Sequence, residues 1–282
     1  MVLFIAEICS NHGTDINRCF DFIEKAAEIG CDVVKFQLFR IDQLFSKEAM
    51  KQKPFILDRR QWELPLSFLP LLAERCQEKN IQFSCTPFYL DAVDELKPYV
   101  SFYKIASYAL LWDALLAKCA KTDKPVILST GMATMDEISH AVQILRENYC
   151  QDITLLHCTS SYPTPPDEAN LAAIETLRMA TQCRVGWSDH TAKPGVIHRA
   201  IHKWGAEIIE FHLDLDKTGA EYAMGHCWLP EQIASVIKEI RYCSMADGSG
   251  IKGPTQSELI ERQWRTDPFD GLRPLLSART MI

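Results

Sequence analysis

Short apolar runs alternate with stretches whose apolar residues recur every three or four positions, and the alternation persists along most of the chain. Residues 2–8 are the first run, ending near Glu7, Ser10, Asn11 and His12; Ile16, Phe20, Ile23 and Ala27 then repeat at helical spacing up to Gly30. Further runs lie at 32–39, 81–85, 102–107, 125–128, 153–156, 185–188 and 208–211. Each precedes a helical period, at 62–79, 90–96, 111–119, 135–149, about 171–180, 196–204 and from Pro230 onward. Period two or a short buried run reads as strand, and period 3.6 as helix. Eight such couplets predict an α/β fold of the closed (β/α)8 TIM-barrel kind over residues 1–247, rather than a doubly wound sheet.

Two regions break the pattern. Residues 40–60, RIDQLFSKEAMKQKPFILDRR, read as a long charged loop, and a connection of that length suits a binding role. Residues 248–282 change character, with Gly248, Gly250, Gly253 and Pro254 leading into a polar segment; this reads as a C-terminal tail packing on the barrel.

Length allows one large core, since such barrels use roughly 250 residues. Apolar residues at 47% and charged residues at 24% describe a soluble globular chain, and a net charge of -7 gives no footprint for nucleic acid. No run approaches the roughly 20 apolar residues needed to span a bilayer. The eleven cysteines are odd in number and without CxxC pairs, so reduced thiols in a cytoplasm are expected. Cys9, Cys31, Cys85, Cys119 and Cys158 read mainly as small core residues.

Chemistry concentrates at the strand ends. Lys35 and Gln37 interrupt one apolar run and Lys104 another. A strand covered on both faces should be nearly all hydrophobic, so these positions ask for a polar interior or a site, unless Lys35 snorkels to solvent. Residues 185–216 contain two runs ending in His190 and His212 around one helical period. Two imidazoles on neighbouring strand ends can share a divalent ion; each could instead bond a backbone group. Thr86, Ser107, Ser129, Thr130, Ser160, Tyr162, Ser188, Glu7 and Glu210 complete the set. Lysines with hydroxyls form an anion pocket, and a histidine-held metal would polarise a carbonyl. Phosphate, carboxylate and carbonyl in one site describe a condensation of phosphoenolpyruvate with an aldehyde.

The strings IAEICSNHG, VVKFQ, TPF, KIAS, ILSTGM, LLHCTSSYPTP, SDHT and IEFH, in this order, resemble the sialic acid synthase family over roughly residues 3–245. That resemblance implies a nonulosonic acid synthase using phosphoenolpyruvate and an N-acylated hexose. It implies a divalent ion, usually Mn2+, on His190 and His212. Lys35, Thr86, Lys104, Ser107, Ser129, Ser160 and Ser188 would line the phosphoenolpyruvate pocket, with Ser160 where asparagine is usual. Glu7, Gln37, Tyr162 and Glu221 would lie near the sugar or reacting centre, and a homo-oligomer is expected.

Two departures matter. Ala109 stands where the family carries a glutamate two residues after the serine of KIAS, a group suited to proton transfer. Three explanations remain open: an engineered loss, a divergent enzyme using Glu7 or Glu210 instead, or a barrel that binds without reacting. The family's C-terminal antifreeze-like domain, which supplies an arginine to the sugar, is absent from this length; Arg273, or else Arg262 or Arg265, could stand in. A class I aldolase with a Schiff base on Lys104 or Lys35 is the rival chemistry.

Overall fold

The computed structural model describes residues 2–279. Its eight parallel strands are β1 (Leu3–Glu7), β2 (Val33–Leu38), β3 (Gln82–Pro87), β4 (Tyr103–Ile105), β5 (Val126–Ser129), β6 (Ile153–His157), β7 (Arg184–Asp189) and β8 (Ile208–His212). They pair in sequence order, and β8 returns to β1 with Ile5 opposite Glu210 and Glu7 opposite His212, so the sheet closes. Each strand is followed by a helix: Ile16–Glu28, Phe68–Glu78, Leu90–Leu96, Asp113–Ala120, Met135–Glu147, Ala173–Thr181, Pro194–His202 and Pro230–Cys243. The predicted (β/α)8 barrel is therefore observed.

Strand periodicity explains the polar residues that interrupted the apolar runs. Successive side chains point alternately to the helices and into the barrel. The helix-facing set, including Phe4, Val34, Phe36, Leu128 and Phe211, joins the main core with the apolar stripes of the helices. The inward set starts apolar: Ile5, Val33, Phe102, Ile127, Leu156 and Ile208 form a separate buried floor. Two residues further along the same strands the inward positions are Glu7, Lys35, Lys104, Ser129 and Glu210, all buried. A barrel is thus plugged at the amino ends of its strands and polar at the carboxyl ends, where barrel enzymes place their chemistry.

Gly186 marks how tightly the floor is packed. A Cβ there would lie 2.7 Å from Leu156 Cδ2 and 2.8 Å from Ile208 Cβ. Gly186→Ala is expected to cost about 1–3 kcal/mol, as overpacking a filled core does; urea unfolding would measure it, and an unchanged midpoint would show that β7 and β8 can part.

Two expectations fail locally. Residues 40–60 are not an unstructured loop: they hold short helices Ile41–Leu44 and Lys47–Gln52, then a 3-10 helix Pro54–Trp62. Ile41 and Ile56 pack with Phe39 into a small core of their own, against which Phe45 and Phe88 lie. The helix expected from residue 62 starts only at Phe68, because Pro65 cannot continue a helical ladder and its carbonyl instead accepts the Phe68 N–H at 3.0 Å.

By its internal contacts the chain divides into two compact units, Met1–Arg241 and Tyr242–Ile282. The second contains 3-10 turns at Ser244–Ala246, Gln256–Glu258 and Glu261–Trp264 and a short helix Leu276–Arg279. Among the described residues no helix is long and apolar enough to cross a membrane.

Candidate active site

Two buried lysines face two buried glutamates above the apolar floor. Lys35 forms an ion pair with Glu7, donates to Thr86 Oγ1 at 3.2 Å and lies 3.7 Å from Glu210 Oε2. Lys104 donates to Glu210 Oε1 at 2.9 Å, and Ser188 Oγ donates to the same oxygen at 3.1 Å. Gln37 donates to Glu7 Oε1 at 2.9 Å. Lys35 is 2% exposed, which removes the snorkelling alternative.

Burial dominates the electrostatics of Lys35 and pulls its ammonium down to about 7, against the charge of Glu210 and with the help of Lys104. For Glu210 burial acts upward, but Lys104 and Lys35 outweigh it and hold the carboxyl at about 2. Glu210 is thus held as a carboxylate by its two lysine neighbours.

A second group gathers at the ends of β4, β5 and β6. Ser107 Oγ accepts the Gly131 N–H at 3.0 Å and lies 3.3 Å from Cys158 Sγ, and Ser129 is buried at the tip of β5. Ser160 Oγ is buried without a hydrogen-bond partner among the described residues. A Cβ on Gly131 would collide with Ser160 Oγ and come within 3.0 Å of Ser107 Oγ and 3.1 Å of Cys158 Sγ. Hydroxyls converging on a backbone N–H beside a residue without a side chain make a cradle for an anion's oxygens.

Beside the lysines stands an aromatic and imidazole cluster. The rings of His190 and His212 are 5.4 Å apart, and Tyr162 lies 4.3 Å from His190 and 6.0 Å from His212. His190 Nδ1 is bonded to the Thr159 carbonyl at 2.8 Å and His212 Nδ1 to Glu221 Oε2 at 2.9 Å, which leaves Nε2 on each ring. The backbone-only reading therefore describes one nitrogen of His190 and none of His212. Burial lowers both imidazoles, His190 to about 3 with His212 adding to the effect. Neutral imidazole, oriented through its other nitrogen, is the ligand form for a divalent ion, so this donor pair fits one.

Ala109 lies in the 3-10 turn Ser107–Ala109, 9% exposed, with no carboxylate of its own to offer. Arg273 belongs to the C-terminal unit, where its Nε donates to Thr266 Oγ1 at 3.2 Å. Asp189 accepts from Thr191 and from the indoles of Trp187 and Trp228, Asp214 pairs with Arg18, and His12 Nδ1 accepts the Thr14 N–H. His140 pairs with Asp113 outside the barrel, and His198 and His202 stack on one helix.

Two residue groups were not foreseen. His226, in the loop after β8, is 1% exposed and its ring lies 4.6 Å from that of His212; the adjacent His226–Cys227 pair was the available signal. Cys9 is not merely a small core residue, since its Sγ donates to Glu221 Oε1 at 2.7 Å.

Residues 22–252 match the NeuB family. The chain belongs to that family. It is 37% identical over 270 residues to the N,N'-diacetyllegionaminic acid synthase of Campylobacter jejuni, covering 91% of this chain and 80% of that protein. The pseudaminic acid synthase of the same organism is 32% identical over 260 residues, covering 88% and 76%. Among solved structures, the N-acetylneuraminic acid synthetase of Leptospira borgpetersenii, in complex with citrate, superposes with a TM-score of 0.82 at 34% identity, covering 92% of this chain and 90% of that one. The NeuB chain is thus a carbon–carbon bond-forming transferase of the sialic acid synthase type.

Proposed function

We propose that this NeuB-family chain condenses phosphoenolpyruvate with the aldehyde of an N-acylhexosamine or related aldose, giving a 2-keto-3-deoxy sugar acid of the sialic acid type and free phosphate. The observation that carries this is the juxtaposition of the Lys35/Lys104 pair with the Gly131 cradle on one side and the His190/His212 pair on the other. Phosphate and carboxylate settle on the lysines, the Gly131 N–H and the hydroxyls of Ser107, Ser129 and Ser160. His190 and His212 would hold a divalent ion, Mn2+ in this reading, which would supply Lewis-acid polarisation of the sugar carbonyl. The methylene carbon of phosphoenolpyruvate attacks the aldehyde carbon, water adds to the resulting cation, and the C–O bond to phosphate breaks. Glu221 orients His212, and the Tyr162 ring packs 4.3 Å from that of His190.

Glu7, Glu210 and Glu221 are the carboxylates available for proton transfer in place of the residue missing at Ala109. Phosphate release with Mn2+ and a panel of aldoses, phosphorylated aldoses and N-acetylhexosamines, on this chain and on Ala109→Glu, tests the assignment. Release by this chain supports the use of a resident carboxylate; release confined to Ala109→Glu supports a synthase impaired at that position. With release by neither, despite bound metal, the barrel binds without reacting.

Lys35 makes binding pH-dependent. An incoming anion stabilises its ammonium and raises a group that burial holds at about 7. Between pH 7 and 9 binding therefore requires proton uptake, and affinity for phosphoenolpyruvate falls as pH rises. Calorimetry at pH 8 in two buffers of different ionisation heat should show net uptake; equal apparent heats would rule this out.

A further inference from the structure

The Nδ1 side of His212 carries a set of donors that the histidine pair does not use. His212, Glu221, His226 and Cys227 each offer one ligand atom, and these four atoms lie within 4.8 Å of one another. Glu221 Oε2 is 2.9 Å from His212 Nδ1 and 3.6 Å from His226 Nε2, while Cys227 Sγ is 3.9 Å from His226 Nε2. All but Glu221 are buried. His226 Nδ1 has no hydrogen-bond partner among the described residues, so the contacts given for the ring's polar atoms are those of Nε2, toward Glu221 and Cys227. Among those residues no lysine or arginine forms an ion pair with Glu221.

We propose that His212, Glu221, His226 and Cys227 form a second, thiol-containing cation site that competes with the His190/His212 pair for the ring of His212. Neutral imidazole has one lone pair and one N–H, so its two nitrogens cannot both bind an ion at once. An ion held through His190 would use Nε2 of His212 and leave the proton on Nδ1, donated to Glu221. An ion among Glu221, His226 and Cys227 takes Nδ1, moves the proton to Nε2, and so withdraws His212 from the pair. The two positions are mutually exclusive states of one ring.

Ligand type separates the ions that favour each state. Two imidazoles accept Mn2+ as well as harder company allows, but a thiolate with two imidazoles and a carboxylate matches Zn2+ or Co2+, which also lie above Mn2+ in intrinsic affinity. Four-coordinate zinc brings its donors to roughly 3.3–3.8 Å of one another, from bonds of about 2.0–2.3 Å, so the cluster needs a modest contraction. Glu221 sits at the start of the 3-10 turn Tyr222–Met224, with Gly225 in the left-handed region at its end; that loop can supply the movement. Zinc in this position is expected to inhibit turnover supported by Mn2+.

This inference rests on the proposed function only for that inhibition; the site itself can be read without turnover. Metal-free protein would be titrated with Co2+, and Zn2+ and Mn2+ affinities found by competition with a chelator, for the parent, His190→Ala, His226→Ala, Cys227→Ser and Cys9→Ser. The parent should show a thiolate-to-cobalt charge-transfer band that survives His190→Ala and Cys9→Ser and disappears in Cys227→Ser. Zn2+ affinity should fall at least about tenfold in His226→Ala and Cys227→Ser, with Mn2+ affinity unchanged in Cys227→Ser. Circular dichroism and His190→Ala, folded alike, control for general disruption. No charge-transfer band in the parent, or one lost with Cys9 instead of Cys227, would overturn the site. Failure of phosphate release with the band intact would remove the synthase reading and leave the metal site standing.

Discussion

Lys104→Met is expected to lower phosphate release at least about 100-fold, the scale of losing one preorganised charge at a reacting centre. It should also cost about 3–5 kcal/mol of stability, the usual result of stripping one partner from a buried ion pair. The cause is Glu210: with Lys104 gone its Oε1 keeps only the Ser188 hydroxyl, and Lys35 remains 3.7 Å from the other oxygen. That residual pairing places the loss toward the lower end of the range. The double change Lys104→Met with Glu210→Leu separates the two roles, because removing both charges together is close to neutral for folding. It should restore the urea midpoint without restoring turnover. A single variant as stable as the parent would mean that Glu210 takes up a proton or finds water when Lys104 leaves.

Gly131→Ala is the second large expectation. Its backbone is outside the left-handed region, so the added methyl acts through space, against Ser160 Oγ, Ser107 Oγ and Cys158 Sγ. Filling the cradle should raise the KM for phosphoenolpyruvate at least about tenfold, or about 1.4 kcal/mol, while the KM for the sugar changes little. Steady-state kinetics with each substrate varied would show the split. Equal effects on both would indicate a general shift of the β5 loop, and no effect on either would place the anion elsewhere.

The barrel was legible because its strands carry two messages at once. Val33, Lys35 and Gln37 share one face of β2 with period two, so the apolar run and its polar interruptions are both consequences of a plugged floor and a polar rim. Residues 40–62 were opaque for a different reason. Their order comes from Phe39 and Phe88, at the ends of neighbouring strands, and no local period announces a contact supplied by distant chain. The lysine, serine and histidine positions could be inferred from strand ends, but Cys9, His226 and Cys227 could not. They converge through Glu221, which sits in a turn with no strand or helix pattern to fix its direction.

The small core around Phe39, Ile41 and Ile56 is separate from the main one. A segment whose apolar contacts are confined to a small cluster at the strand ends can vary with less disturbance of the main core. In this barrel that segment follows β2, whose Lys35 and Gln37 bond Thr86 and Glu7 at the carboxyl-end rim. Under the proposed function, change in that segment is uncoupled from the buried lysines and glutamates of the rim, and a lineage could exchange one sugar for another while its chemistry stayed fixed.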